Sequence, residues 1–320
     1  MSAFRGCSEG MRDLSLGMVG VSAGNGHPYS FSAIVNGYSD GGFRRSDWGV
    51  IHDYLRERDP SEFGFDGVEV THAWTQDDEE TRKLCDAARI PNKVAHLENL
   101  VDEVDAVILA RDDYENHFEM AIPFLEADMP AFVDKPLSLD PTELDTLKPY
   151  LESGMLMSCS GFRYARELDD PRENLDSYGE VKLVRGTVIK SWEKYGIHMI
   201  DGIFNVLNAN PESVVMHEVP HQSATIFLET GGIVQVDTLG EAPATFEVDI
   251  YGTGKTTRHQ LTDNFSAFSR TLWHFIEGVR TGEPAIPPWQ TLEAMRVLIA
   301  GKRSKKAGSR VSVNDVEFPG

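Results

Sequence analysis

The stretch Val104-Asp105-Ala106-Val107-Ile108-Leu109-Ala110, followed one short helix later by Phe132-Val133-Asp134-Lys135-Pro136, decides the fold. The first segment is a continuous apolar run, the pattern of a strand covered on both faces. The second is shorter and ends on a lysine and a proline. A cation at the carboxyl end of a parallel strand points into the crevice where open α/β sheets hold ligands. The alternative is a solvated lysine that ends a strand.

Outward from this pair, strands alternate with helices through the first half of the chain. Residues 14–21 and 68–74 read as strands, 77–88 as a helix opened by acids, 114–127 as a helix, 131–133 as a strand and 141–152 as a helix. A helical stretch begins at about Ser30, after a glycine-rich turn. Such alternation predicts a doubly wound parallel sheet, a Rossmann-like domain over residues 1–150. Residues 38–66 interrupt the rhythm with Gly, Asp and aromatic residues, an insertion long enough to suggest a function. Beyond residue 150, segments 181–189, 224–229, 233–237 and 245–251 read as strands joined by tight turns, with helices at 197–207, 268–280 and 291–305. Residues 151–320 are therefore expected to form an α+β domain on a mainly antiparallel sheet.

Composition narrows the function. The 51 acidic residues outnumber 30 basic ones, for a net charge of −21, a field that repels nucleic acid and anionic membranes. Lysine is scarcer than arginine, as in proteins from salty habitats. Cys7, Cys85 and Cys159 are scattered, with neither disulfide nor metal-site spacing. No apolar run approaches the ~18 residues of a membrane span, and the first dozen residues lack a signal-peptide core. A cytoplasmic protein without a metal is expected.

The turn after the first strand reads Gly20-Val21-Ser22-Ala23-Gly24-Asn25-Gly26-His27-Pro28. Dinucleotide sites place glycines where backbone must approach a pyrophosphate at a helix N-terminus. Here Ser22 stands at the second glycine position, and the third is displaced to Gly26. Thr75 or Gln76 falls where NAD-binding folds usually carry a ribose-binding acid, leaving NAD versus NADP open. His217-Glu218-Val219-Pro220-His221 imitates a zinc-protease motif, but Pro220 denies it the necessary helix. Gly252-Thr253-Gly254-Lys255-Thr256 reads as a hairpin turn, with Asp249 in place of a phosphate loop's first glycine. In Lys194-Tyr195-Gly196-Ile197-His198-Met199-Ile200-Asp201, His198 and Asp201 share one face at a helix start. A histidine there can take a hydroxyl proton near neutral pH.

These segments, with His117 in the helix after residues 104–110, Gly161-Phe162-Arg163-Tyr164 and Gly179-Glu180-Val181, resemble in order and spacing the glucose–fructose oxidoreductase / inositol dehydrogenase / rhizopine-catabolism (Gfo/Idh/MocA) family. Asp134-Lys135-Pro136 stands for that family's Glu-Lys-Pro. The resemblance implies a homo-oligomeric NAD- or NADP-dependent enzyme that moves a hydride to or from a CH–OH group of a sugar, cyclitol or sugar-acid-like molecule. Lys135 and His198 would be catalytic, with Asp201 nearby. Lys194 occupies the family's aspartate position, four residues before the histidine. Cofactor contacts would come from Gly20, Ser22, Gly24, Asn25, Gly26 and His27, then Thr75 and Gln76. Ala110, Arg111, Asp112, His117 and Asp134 would complete them. Arg163 and Tyr164, with Lys194 and His198, would face the substrate. The competing reading, favoured by Lys194, is a non-catalytic cofactor- or sugar-binding sensor on the same fold. Paired second domains would give a homodimer or homotetramer.

Overall fold

The computed structural model describes residues 12–319, so Cys7 lies outside the described residues. Its first half follows the expected alternation: β1 (Leu14–Val19), α1 (His27–Asn36), α2 (Asp40–Phe43), α3 (Gly49–Arg56), β2 (Val68–Trp74), α4 (Asp78–Ala88), β3 (Asn92–Lys93), β4 (Ala106–Leu109), α5 (His117–Glu126), β5 (Ala131–Val133), α6 (Pro141–Glu152) and β6 (Leu156–Met157). All neighbours in this sheet are parallel, in the order β3-β2-β1-β4-β5-β6. Its last strand lies beyond residue 150. The order reverses between β1 and β4, so the loops after these two strands part and leave a crevice at their carboxyl ends.

Local chemistry explains the helix limits. The Asp77 side chain accepts from Glu80 N–H, and acids fill the first turn of α4, where the helix dipole favours them. Asp140 caps α6 in the same way, with Pro141 in its first turn. Helix α1 starts at His27 rather than Ser30, because Pro28 suits a first turn and Asn25 Oδ1 accepts from His27 N–H. Strand β4 is shorter than its apolar run: Val104 N–H bonds back to Leu100, and Asp105 is drawn out to Ser15 and Arg12.

The insertion carries α2 and α3 and acts as a brace. Phe43 stacks on His52, and Phe63 meets Phe265 edge-on. Arg58 pairs with Asp263, across to the second half of the chain.

After the short helix α7 (Asp169–Glu173), the second half runs β7 (Val181–Val188), α8 (Ile197–Leu207), β8 (Pro211–Glu218), β9 (Gln222–Leu228), β10 (Ile233–Thr238), β11 (Phe246–Gly252), β12 (Thr256–Gln260), α9 (Asn264–Thr281), α10 (Pro288–Ala307) and β13 (Val311–Ser312). The sheet order is β12-β11-β7-β10-β9-β8-β13. Only the β7–β10 pairing is parallel. The fold is thus α/β, with a Rossmann-like sheet followed by an α+β region on a mostly antiparallel sheet. One sheet face packs on helices: a Cβ at Gly186 of β7 would strike Met199 of α8, so the glycine sets how closely they approach. The opposite face is mixed: Arg185 pairs with Asp237 and Arg258 with Asp249, beside a row of Leu183, Ile233 and Phe227.

The two halves share one apolar core. Val19, Leu109 and Val133 from the first sheet belong to the same buried cluster as Val184, Met199, Val236 and Leu298. Phe268 of α9 also reaches Phe31 of α1, at 5.0 Å between ring centroids.

Candidate active site

Gly20, at φ +77°, ends β1 and turns the chain as only glycine does freely. Ser22 and Asn25 then close a tight turn, Asn25 N–H donating to Ser22 O at 3.1 Å. This turn is tied across the switch point. Ser22 Oγ donates to Asp112 Oδ1 at 2.7 Å and accepts from Asp112 N–H at 3.1 Å. Asn25 Nδ2 reaches Ala110 O and Asp134 Oδ2, both at 3.3 Å. Gly24, again at positive φ, has open space where a side chain would stand. Gly26 is different: a Cβ there would run into Trp48 and Ile51 of the insertion, so its bareness serves packing.

Beside the turn, a cleft of about 640 Å³ opens between the β2–α4 and β4–α5 connections. Trp74, Thr75, Gln76, His96, Arg111 and Met120 are among its walls. The side chains expected at the ribose are already engaged. Thr75 Oγ1 bonds Thr81 and the Asp77 carbonyl, and Gln76 donates to Val21 O and accepts from Val21 N–H. Arg111 lies over Gly20 and is paired with Asp113. His117 is fully buried, with Nδ1 against the Pro136 and Leu137 carbonyls and Nε2 against Arg111 O. It braces the loops around Lys135 and offers a ligand nothing. A turn with open space at Gly24, beside an open cleft at the switch point, fits a dinucleotide.

Lys135 follows β5 and is 2% exposed. Its Nζ lies 3.8 Å from Asp134 Oδ2, an atom already bonded to His27 Nδ1 at 2.7 Å. Burial alone would raise the Asp134 carboxyl, but His27 and Lys135 hold it well below the usual range. From the other side, the aromatic ring of Tyr195 lies 5.4 Å from Lys135 Nζ and 5.0 Å from the His198 ring. A single wide π turn over Trp192–Gly196 precedes α8 and presents Tyr195. It is anchored by Trp192, whose Nε1–H donates to Leu298 O at 2.9 Å over the bare surface of Gly301.

His198 Nδ1 and Ser160 Oγ are 2.7 Å apart. Burial, then the positive charge of Lys135 and His27, holds the imidazole well below its ordinary pKa; Asp134 opposes this and Lys190 adds to it. These causes favour the neutral imidazole, whose Nδ1 is engaged by Ser160. Asp201 meets His198 only through Ser160, whose N–H it accepts at 2.7 Å, and it pairs with Arg163 at 2.8 Å.

Of the side chains expected at the substrate, His198 stands in the site beside Tyr195, whereas Arg163 and Tyr164 are engaged elsewhere. Arg163 is buried on Asp201 and Gln290, and Tyr164 stacks on His274 at 4.1 Å. Lys194 sits half-buried in the π turn, its backbone N–H donating to Ser191 Oγ. A cation missed in the sequence is Lys190, whose Nζ stands 4.4 Å from the Tyr195 centroid. Ser160 was also missed. Nothing in the local sequence marks either residue.

Residues 49–159 match a family described as the Gfo/Idh/MocA oxidoreductase family, NAD-binding Rossmann fold. No curated protein sequence matches the chain significantly. Among solved structures, the fold is similar to myo-inositol 2-dehydrogenase from Lactobacillus plantarum, with TM-score 0.74 and 16% identity over 94% of this chain and 99% of that one. It is similar also to myo-inositol dehydrogenase from Lactobacillus casei in complex with NAD(H) and myo-inositol, with TM-score 0.73, 17% identity, and 94% and 97% covered. A probable dehydrogenase from Thermotoga maritima gives TM-score 0.73 and 15% identity, with 95% and 100% covered. By sequence the chain matches the NAD-binding Rossmann model of the Gfo/Idh/MocA oxidoreductase family over residues 49–159, and by fold it is similar to these dehydrogenases over nearly its whole length.

Proposed function

We propose that the site moves a hydride between a nicotinamide cofactor and a CH–OH carbon of a small polyol, sugar or sugar acid. The observation that carries this reading is the meeting of Lys135 and His198, from opposite halves of the chain, around Tyr195. A buried cation beside a neutral base is what removal of a hydroxyl proton requires. Ser160 Oγ accepts from Phe162 N–H and shares a hydrogen bond with His198 Nδ1; in the reactive tautomer Nδ1–H donates to it and Nε2 is free. The substrate hydroxyl gives its proton to Nε2, and Lys135 stabilises the charge growing on that oxygen. The carbinol carbon becomes a carbonyl as its hydride leaves. Bound nicotinamide supplies the hydride acceptor, and the protein supplies orientation and field.

In this reading residues up to about 150 hold the cofactor, and 151–320 supply the base and an assembly surface. The helix-free face of the second sheet supports a homodimer or homotetramer, to be checked by light scattering in moderate salt. Among the described residues no helix is long and apolar enough to cross a membrane.

The test is Lys135→Ala and His198→Ala, each expected to lower turnover by about 10²–10⁴-fold. NADH affinity, read by tryptophan fluorescence, should be nearly unchanged. Wild-type turnover in both variants would overturn the assignment.

A further inference from the structure

Lys190 follows β7 with φ +59°, a left-handed backbone that lysine adopts only at a cost. Two hydrogen bonds to Gly240 hold it there, N–H to O at 2.8 Å and the return bond at 3.0 Å. A Gly or Asn would sit in this position with less strain, and strained backbone of this kind gathers at functional sites. The side chain lies over the Tyr195 ring, on the approach to His198. In a chain with 51 acidic residues, no carboxylate pairs with Lys190 among the described residues. Across Tyr195, Lys135 shares one carboxylate, Asp134, with His27. The substrate side of the site therefore carries surplus positive charge. An oxidised nicotinamide ring, itself cationic, would add to it.

We infer that Lys190 binds an anionic group of the substrate, a carboxylate such as that of a sugar acid, and so selects acids over neutral polyols. This deepens the proposed function and rests on it for where the substrate lies. A carboxylate over Tyr195 would meet the Lys190 ammonium, while the polyol carbons extend towards Lys135 and His198. A partly desolvated charge pair of this kind discriminates strongly against a neutral analogue.

The test is calorimetric titration of D-gluconate and D-glucitol into the protein saturated with NADH, and into the protein alone. Gluconate should bind at least about tenfold more tightly than glucitol. Lys190→Gly should abolish that preference while keeping or raising the melting temperature, because it relieves the left-handed strain. Lys190→Arg should retain most of the preference, and Lys182→Met, on the exposed part of β7, should leave it intact. Equal binding of the two ligands, no binding of either, or a preference that survives Lys190→Gly would each overturn the inference. Turnover is not needed for this readout. A preference that depends on Lys190 in a protein that oxidises neither ligand would uphold the anion site while removing the catalytic reading.

Discussion

Ser160 Oγ lies 2.7 Å from His198 Nδ1, and the same residue's backbone N–H donates to Asp201 at 2.7 Å. One serine thus fixes the base through its side chain and the base's own helix through its backbone. Ser160→Ala removes only the first of these bonds. Turnover should fall by about tenfold or more through misorientation of the ring, while NADH affinity holds. Leaving buried Nδ1 without a partner should cost about 1–3 kcal/mol, visible in denaturant melts. A variant with unchanged turnover would show that Ser160 does not orient the base.

The histidines set the direction of the pH response. Burial places His198 and His117 below their ordinary pKa, and His274 is lowered to about 4 by burial and neighbouring arginines. Between about pH 6.5 and 4 the unfolded chain then binds more protons than the native one, so stability falls as pH drops. Asp134, depressed by His27 and Lys135, adds a loss in the same direction at lower pH; Asp201, raised by burial, opposes it. The melting temperature should decline from pH 7 to pH 4.5. His274→Phe keeps the stack on Tyr164, removes the titration, and should flatten the slope below pH 6. The acid limb of kcat/KM should lie well below pH 6.5; a limb at 6.5 would contradict the neutral His198.

Cofactor preference follows from the cleft walls. Asp78 and Glu98 line it, while the one arginine there, Arg111, is paired with Asp113. A 2′-phosphate would face Glu98 and an Asp78 already paired with Lys93, with no free guanidinium. NADH should bind about tenfold or more tightly than NADPH, as read by energy transfer from tryptophan, with the gap narrowing at high salt. Tighter NADPH binding would show that Arg111 leaves Asp113 to take the phosphate.

Much of the fold is legible in the sequence because the signals are local. Strands at Val68–Trp74 and Ala131–Val133 and helices at Pro141–Glu152 and Ile197–Leu207 fall where periodicity and caps put them. Strands β8 and β12 are legible only as strand-like flanks of set-aside motifs. β8 opens on a proline, and β12 is a short, polar edge. Lys135, His27, Asp134 and His198 are also legible, each inside a recognisable segment, and they come together. Arg163 and Tyr164 are as visible in sequence, yet tertiary partners turn them inward. Lys190 is invisible because its role comes from backbone conformation and from Tyr195 five residues on. A linear pattern carries neither. The displaced glycine at Gly26 reads as a phosphate-loop feature, whereas its bareness answers to Trp48 and Ile51, more than twenty residues away.

That last relationship can be isolated. Gly26→Ala should overpack the contact with Trp48 and Ile51 and cost about 1–3 kcal/mol. Trp48→Ala alone should be destabilising through lost burial against Tyr29 and the turn. In the Trp48→Ala background one of the two clashes is gone and Ile51 can shift into the vacated space, so the double variant should be more stable than the sum of the two single losses, with a coupling of about 0.5–3 kcal/mol. Urea melts of the four proteins measure it. Strict additivity would mean that Gly26 is required by the turn's backbone or by a ligand and not by the insertion. NADH affinity of Gly26→Ala then separates those two, since a bound pyrophosphate would feel the methyl directly and the brace would not.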